Sequence, residues 1–195
     1  MSVQESLAVL TALDVTRTVL GAQMPTKCIV YEAVEAGLEL PPPEVYGLAL
    51  SRQAVDEALK NASVACFVFQ SRPSDVEDPT NSGTPMYRAG IQTTYIEIRV
   101  VYRSKLQRPY TPAAWGSKLS SQDILARRGY WYAAAVNDVL RAHLCCDSGG
   151  AITSIVSKDS DYAGSIFETD STKIYGMATL VYGVRQDTLI PFCGA

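Results

Sequence analysis

The chain has little of what catalytic and metal sites are made from. It holds one histidine in 195 residues, His143, so any Cys–His or Ser–His pair would have to use that imidazole. The strings G-x-S-x-G, H-E-x-x-H and G-x-x-x-x-G-K-[ST] are absent. The five cysteines (Cys28, Cys66, Cys145, Cys146, Cys193) are odd in number and include no C-x-x-C pair, which argues against a disulfide framework and a zinc ribbon. Cys145 and Cys146 adjoin His143-Leu144, but neighbouring cysteines rarely share one ion. A fourth ligand would have to come from Cys28, Cys66, Cys193 or a carboxylate. Reduced thiols suit a reducing cytosol.

Charge is also sparse, at 19% of residues. With 17 basic and 20 acidic residues the net charge is −3, and the pI is near 5.2. That excludes a globally basic nucleic-acid binder, though not a local basic patch. The hydrophobic content of 47% excludes a disordered chain. No apolar run approaches the 18 or so residues of a membrane span. Gln4 and Glu5 stand where a secretory signal would carry Lys or Arg, so the expectation is a protein that is not secreted. The length fits one domain over residues 1–195.

What is present is periodicity. Ser2 and Glu5 match a capping box, and Leu7, Leu10, Leu13, Arg17 and Leu20 follow at helical steps. The expected helix spans 2–20, stopped by Gly21 and Pro25. A short strand is expected over Lys27–Glu32, then a stiff extended link through Pro41, Pro42 and Pro43. Residues 44–50 are ambiguous. Residues 51–61 form a second helix, capped by Ser51, with Ala54, Val55, Ala58 and Leu59 as its packing face.

Val64–Gln70 is a strand buried on both sides. Ser71–Gly90, with Pro73, Pro79 and Pro85, loses all periodicity and is expected to be a long loop. Ile91–Arg103 alternates strictly. Ile96, Ile98, Val100 and Tyr102 face the core, and Glu97, Arg99 and Arg103 face a wetter side, with Tyr95 and Val101 among them. A second long loop covers about 104–119.

Ser120 opens the main helix, with Asp123 near its positive end. Its apolar stripe is Leu125, Gly129, Tyr132, Val136, Leu140 and His143, which places a buried imidazole near the C-terminus. Gly149 and Gly150 supply the left-handed stop. Ile152, Ile155 and Val156 suggest a short strand, followed by an acidic stretch, Lys158–Asp170. A closing strand carries Ile174 to Val184 with small residues at Gly176 and Ala178, where a helix could pack closely. The fold class expected is α+β. It is a mostly antiparallel β-sheet packed on one face by the N-terminal helix and the long central helix, with extended loops at about 71–90 and 104–119.

The charges are uneven. From Ile98 to Gln122 stand Arg99, Arg103, Lys105, Arg108 and Lys118 with no acid. Asp75, Glu77 and Asp78, and the stretch 159–170, are acid-rich. One reading is solvated loops without a role. A sharper one is self-association, a basic surface of one copy meeting an acidic loop of the next. The candidate subunit-interface residues are therefore Glu97, Arg99, Arg103, Lys105, Arg108, Asp75, Glu77 and Asp78. Tyr102, Tyr110 and Trp115 interleave with the basic residues as in single-strand binders, yet no binding module accompanies them. Asp75, Glu77 and Asp78 could gather a cation, and an enzyme or ligand-binding domain would use that loop and His143. Neither has convergent partners in the sequence.

The order of elements brings a family into view: the N-terminal helix, the strands around Val64–Gln70 and Ile91–Arg103, the helix Ser120–Leu144, and the closing strand Tyr175–Val184. The chain resembles the tail-terminator, or neck-terminator, proteins of tailed bacteriophages. The resemblance implies a non-enzymatic virion protein without a cofactor, assembled in the host cytoplasm and away from membranes. It also implies a ring, typically a hexamer, that caps the tail tube and joins it to the head-side connector. Viral DNA would pass through the lumen without sequence-specific binding. A head-closure or other neck protein is the alternative within virion proteins. A small cytosolic enzyme or ligand-binding domain is the alternative outside them.

Overall fold

A computed structural model describes residues 3–35, 38–48, 51–77, 87–103, 121–168 and 174–191. Over the described residues the fold is α+β, with a mixed sheet of five strands and helices packed on it. The first helix, α1, runs Val3–Val34, about 48 Å at 1.5 Å per residue. It passes through Gly21 and Pro25, so the expected stop at residue 20 and the strand at Lys27–Glu32 are both corrected. Pro25 removes the N–H that would bond the Gly21 carbonyl, a real cost in a helix interior. Burial overrides it. The stripe Ala12, Thr16, Leu20, Met24 and Cys28 continues at four-residue steps on both sides of the proline, all of it buried. Thr16 fits this stripe because its hydroxyl donates to the Ala12 carbonyl at 2.7 Å. Ser2 of the expected capping box lies outside the described residues.

The extended link through the three prolines turns the chain back along the helices. Leu38 and Leu40 are buried in it, and the Pro41 carbonyl accepts from the Tyr132 hydroxyl at 2.7 Å. The short strand β1 is Val45–Gly47. The second helix, α2, is Arg52–Asn61, and Ser51 caps it as expected, its side chain accepting from the Ala54 N–H at 3.0 Å.

Strands β2 (Val64–Glu77) and β3 (Tyr87–Arg103) pair antiparallel. Both are longer than expected. Residues 71–77 and 87–90, read from the sequence as loop, are the arms of a long hairpin; 78–86, with Asp78, lie outside the described residues. Pro73 is tolerated because β1 pairs only with Ala65–Phe67 and leaves the rest of this edge open. Register shifts at Gln70/Arg72 and Arg72/Asp75 mark where the ladder gives way around it.

The central helix, α3 (Ser121–Val139), ends in a π-helical turn, Leu140–Leu144. Strands β4 (Ser154–Glu168) and β5 (Ile174–Pro191) complete the sheet in the order β1-β2-β3-β5-β4, with only β1 parallel to its neighbour. The acidic stretch after Lys158 is therefore strand through Glu168, not loop. Gly149 and Gly150 have φ of 63° and 86°, the left-handed stop expected of them. The segment 104–119 lies outside the described residues.

The core lies between the sheet and the pair α1 and α3. Cys66, Val68, Ile96, Ile98, Val100, Ala178, Leu180, Tyr182 and Val184 face Leu20, Met24, Cys28, Leu125, Tyr132, Val136 and Leu140. Each buried large apolar side chain contributes about 1.5–3 kcal/mol. The core also buries two thiols. Burial pushes Cys28 up to about 12, helped by the nearby Glu32 charge. It pushes Cys66 up to about 12 as well, helped by Cys28.

Candidate functional site

The two faces of the sheet differ in cover. One carries α1 and α3. On the other, α2 covers only one end. Its Leu59 is buried there, with Ala54, Val55 and Ala58 half-buried against Ala65, Phe67, Val101, Tyr175 and Met177. Past Phe67 and Val101 this face continues with no described helix over it. There it carries Phe69, Glu97, Arg99, Tyr95, Thr179 and Val181. Strand alternation puts them there, because every residue two steps from a core position of this layer must share its side.

The open face is a charge-paired surface. Glu97 Oε1 and Arg99 Nε are 2.5 Å apart, with side chains 13% and 31% exposed. The Arg99 guanidinium also lies 5.4 Å from the Phe69 ring centroid. Further along, the Arg72 guanidinium stands 3.5 Å over the Tyr95 ring. Tyr95 donates its hydroxyl to Asp75 Oδ2 at 2.6 Å. Opposite Tyr95 on β5 is Gly183, and its bare Cα makes room for the Lys158 stem and the Thr93 methyl. Arg72, Tyr95 and Asp75 thus build one polar group beside the Glu97–Arg99 pair, with the Lys158 stem alongside at Gly183. Stacking and bonding in this way hold long side chains at little further entropy cost when a partner docks.

Of the sequence candidates, Glu97 and Arg99 come together as a pair, and Asp75 joins the polar group through Tyr95. Glu77 is exposed two residues beyond Asp75 on the same strand. Arg103 stands apart at the end of β3. Its N–H donates to the Ser63 carbonyl at 3.0 Å, and its own carbonyl accepts from Arg128 at 3.4 Å. Lys105, Arg108 and Asp78 lie outside the described residues. On the described part of the basic segment, Arg99 is paired with Glu97, and residues 104–120 lie outside the described residues. Sequence reasoning missed Arg72 and Lys158. Arg72 fell in a segment read as loop, and Lys158 sits at a register shift between Ser157 and Asp159 that no periodicity announces.

His143 does not lie in the core. Its side chain is 31% exposed, and Nδ1 is 3.1 Å from Asp147 Oδ2. The π-helical turn explains this. Its i→i+5 bonds advance each residue by less than the roughly 100° of an α-helix, so Leu144 takes the place beneath Leu140 and His143 rotates outward. His143 and Asp75 are each bound locally, to Asp147 and Tyr95. Among the described residues no group of three or more His, Cys, Asp or Glu side chains could hold a metal ion. Nor is any described helix long and apolar enough to cross a membrane.

Arg128 is the most deeply buried cation described, at 4% exposure. Its guanidinium reaches Glu39 at 3.7 Å, and its Nε has no hydrogen-bond partner among the described residues.

No family of known proteins matches this chain, and no curated protein matches it either.

Proposed function

We propose that the protein is a structural subunit that binds copies of itself through the open sheet face, as a tail-terminator ring at the head–tail junction of a phage particle would require. The observation that carries this reading is the Glu97–Arg99 pair and its neighbours. They form a rigid, charged, half-buried surface on a sheet layer that α2 covers only at one end. Such a surface sets register between copies more than raw affinity. A face that meets a different surface on the next copy closes into a ring when the rotation allows.

The long hairpins support the same role. The arms of β2–β3 and β4–β5 extend the sheet and offer neighbours extended backbone. The fold has an N-terminal helix, a strand pair, a long helix and a closing strand, the elements from which the resemblance was drawn. In this reading the tube and connector proteins are the further partners, DNA passes through the lumen, and the protein is not an enzyme. A head-closure or other neck role would use the same face.

The test is mass measurement of the full chain in solution over a range of concentrations, with particle averaging by electron microscopy. Rings of uniform size are expected. A strict monomer at every concentration, alone and with tail tubes added, overturns the reading.

A further inference from the structure

We propose that a second copy of this chain packs on the outward side of α1, the two helices antiparallel about a two-fold axis at Thr18. At three- and four-residue steps that side reads Leu7, Leu10, Asp14, Thr18, Ala22, Thr26 and Ile29, all exposed. Leu7 is 62% and Ile29 66% exposed, and Val30 and Val34 stand exposed beside the far end. Five of the eight exposed large apolar side chains among the described residues belong to this one helix. Asp14 is the only charge of the stripe, and Arg17 of the same helix pairs with it at 3.2 Å. Lys27 and Glu32 turn to the flanks. Lys27 lies 3.7 Å from Asp138, and Glu32 accepts from the Leu40 N–H at 3.3 Å.

A helix face in lasting contact with water carries charged and polar side chains. The chain makes such a face on α2, whose exposed side is Gln53, Asp56, Glu57, Lys60 and Asn61. By contrast, α1 is apolar inside, through Leu20, Met24 and Cys28, and nearly uncharged outside. A helix that is apolar all round is a buried helix, so the outer side of α1 is built for a cover.

The pattern selects a copy of the same helix. Leu7 and Ile29 lie equally far on either side of Thr18. A two-fold axis there seats Leu7 of each copy against Ile29 of the other, Leu10 against Thr26, and Asp14 against Ala22. Every contact then occurs twice, as a self-complementary interface requires. No like charges meet. Thr18 and Ala22 are small enough for the helices to approach closely, and the Thr18 hydroxyl is satisfied within its own helix, donating to the Asp14 carbonyl at 2.8 Å. In this register about 45 Å of helix overlaps. A strip about 11 Å wide buries roughly 500 Å² on each copy, or roughly 1,000 Å² in all, the lower size of a specific protein contact. A lipid surface fits less well. Interfacial helices carry many Lys and Arg beside the apolar stripe, and α1 has only Arg17 and Lys27. The contact is separate from the open sheet face and does not rest on the ring.

The test uses the full chain carrying Glu97→Arg and Arg99→Glu, which reverses the sheet face, and Cys146→Ser and Cys193→Ser. Under mild oxidation a mixture of Leu7→Cys and Ile29→Cys chains should give a covalent dimer joining the two variants. Neither variant alone should do so, because the two positions stand about 33 Å apart along the helix and a disulfide bridges Cα atoms less than about 7 Å apart. In sedimentation at roughly 1–100 µM chain, Leu7→Glu and Ile29→Glu should each weaken dimerisation at least about tenfold, since each change falls twice in the interface. Both sites are exposed, so the unfolding midpoint should hold. Cross-linking of one variant to itself in preference to the mixture, a strict monomer throughout that range, or dimers indifferent to both glutamates overturns the proposal. So does uptake by vesicles of phosphatidylcholine and phosphatidylglycerol in place of dimer formation. Ring formation is read on the chain with its own Glu97 and Arg99, so either reading can fail alone.

Discussion

Tyr102 and Gly176 face each other across β3 and β5, and the tyrosine ring occupies the space where a side chain at 176 would begin. A Cβ there would stand 2.2 Å from Tyr102 Cε2 and 2.4 Å from Cζ. The ring has nowhere to retreat. Its hydroxyl donates to the Leu125 carbonyl at 2.7 Å, and the ring centroid is 5.0 Å from that of Tyr132. The glycine thus serves an aromatic side chain of the neighbouring strand, rather than the close helix approach that its sequence position suggests. Gly176→Ala is expected to destabilise the fold by about 1–3 kcal/mol through overpacking, read as a lower urea midpoint at unchanged m-value. Tyr102→Phe keeps the ring and loses only the hydroxyl bond, at about 1 kcal/mol. Equal stability of Gly176→Ala and the unsubstituted protein would refute this account.

Pro25 makes the opposite prediction. It sits inside α1 and leaves the Gly21 carbonyl without its helical donor. Pro25→Ala should raise stability by about 1–3 kcal/mol, measured by denaturant titration. A loss of stability would mean that the ring itself packs against something the helix needs.

The buried thiols set a limit on the alkaline side. Cys28 and Cys66 are both held near 12 in the folded chain, against 9.0 as the ordinary value. The unfolded chain therefore releases these protons first as the pH rises. Their contribution is fully present below about pH 9 and is lost as the pH climbs toward 12, by up to about 1.4 kcal/mol per pH unit for each thiol. Urea midpoints compared at pH 8 and pH 10 should show the fall. At pH 8 a thiol reagent should modify the exposed Cys146 quickly and the two buried thiols only on unfolding.

The Glu97–Arg99 pair allows folding and association to be separated. Glu97→Arg combined with Arg99→Glu keeps an ion pair on the open face and should leave the unfolding midpoint within about 0.5 kcal/mol of the parent. The pattern offered to a neighbour is reversed, so ring formation should be lost. Undiminished assembly of the swapped chain would remove this face from the interface.

Much of the fold was legible because periodicity is a direct record of burial. The strands at 64–70 and 91–103, the helix at 51–61 with its Ser51 cap, and the long helix from about 120 all follow from which residues must face inward. The failures share a cause, which is that the deciding contacts are tertiary. Pro25 and Gly21 are sound local stop signals, and only the burial of Met24 and Cys28 overrides them. The hairpin arms carry Pro73, acids and register shifts, features that from sequence alone look like a loop. Near the arms Gln92, Thr93 and Thr94 are buried although polar, so no hydrophobic alternation marks that part of β3. His143 was misplaced by one turn of a rare helix. At the candidate site, Glu97 and Arg99 could be assigned to a common side by counting in twos. Their mutual bond, and the stacking of Arg72 on Tyr95, depend on side-chain conformations and strand register that no count reveals.

The β3–β5 ladder pairs residue for residue from Tyr87↔Pro191 to Arg103↔Tyr175 without a shift, a length of about 55 Å. A pull along the strands would load all of these backbone bonds together in shear, whereas a pull across them would open the bonds one after another. The molecule is therefore mechanically stiff in one direction and weak in the perpendicular one. A tension-bearing part built from it would work best with that ladder laid parallel to the force.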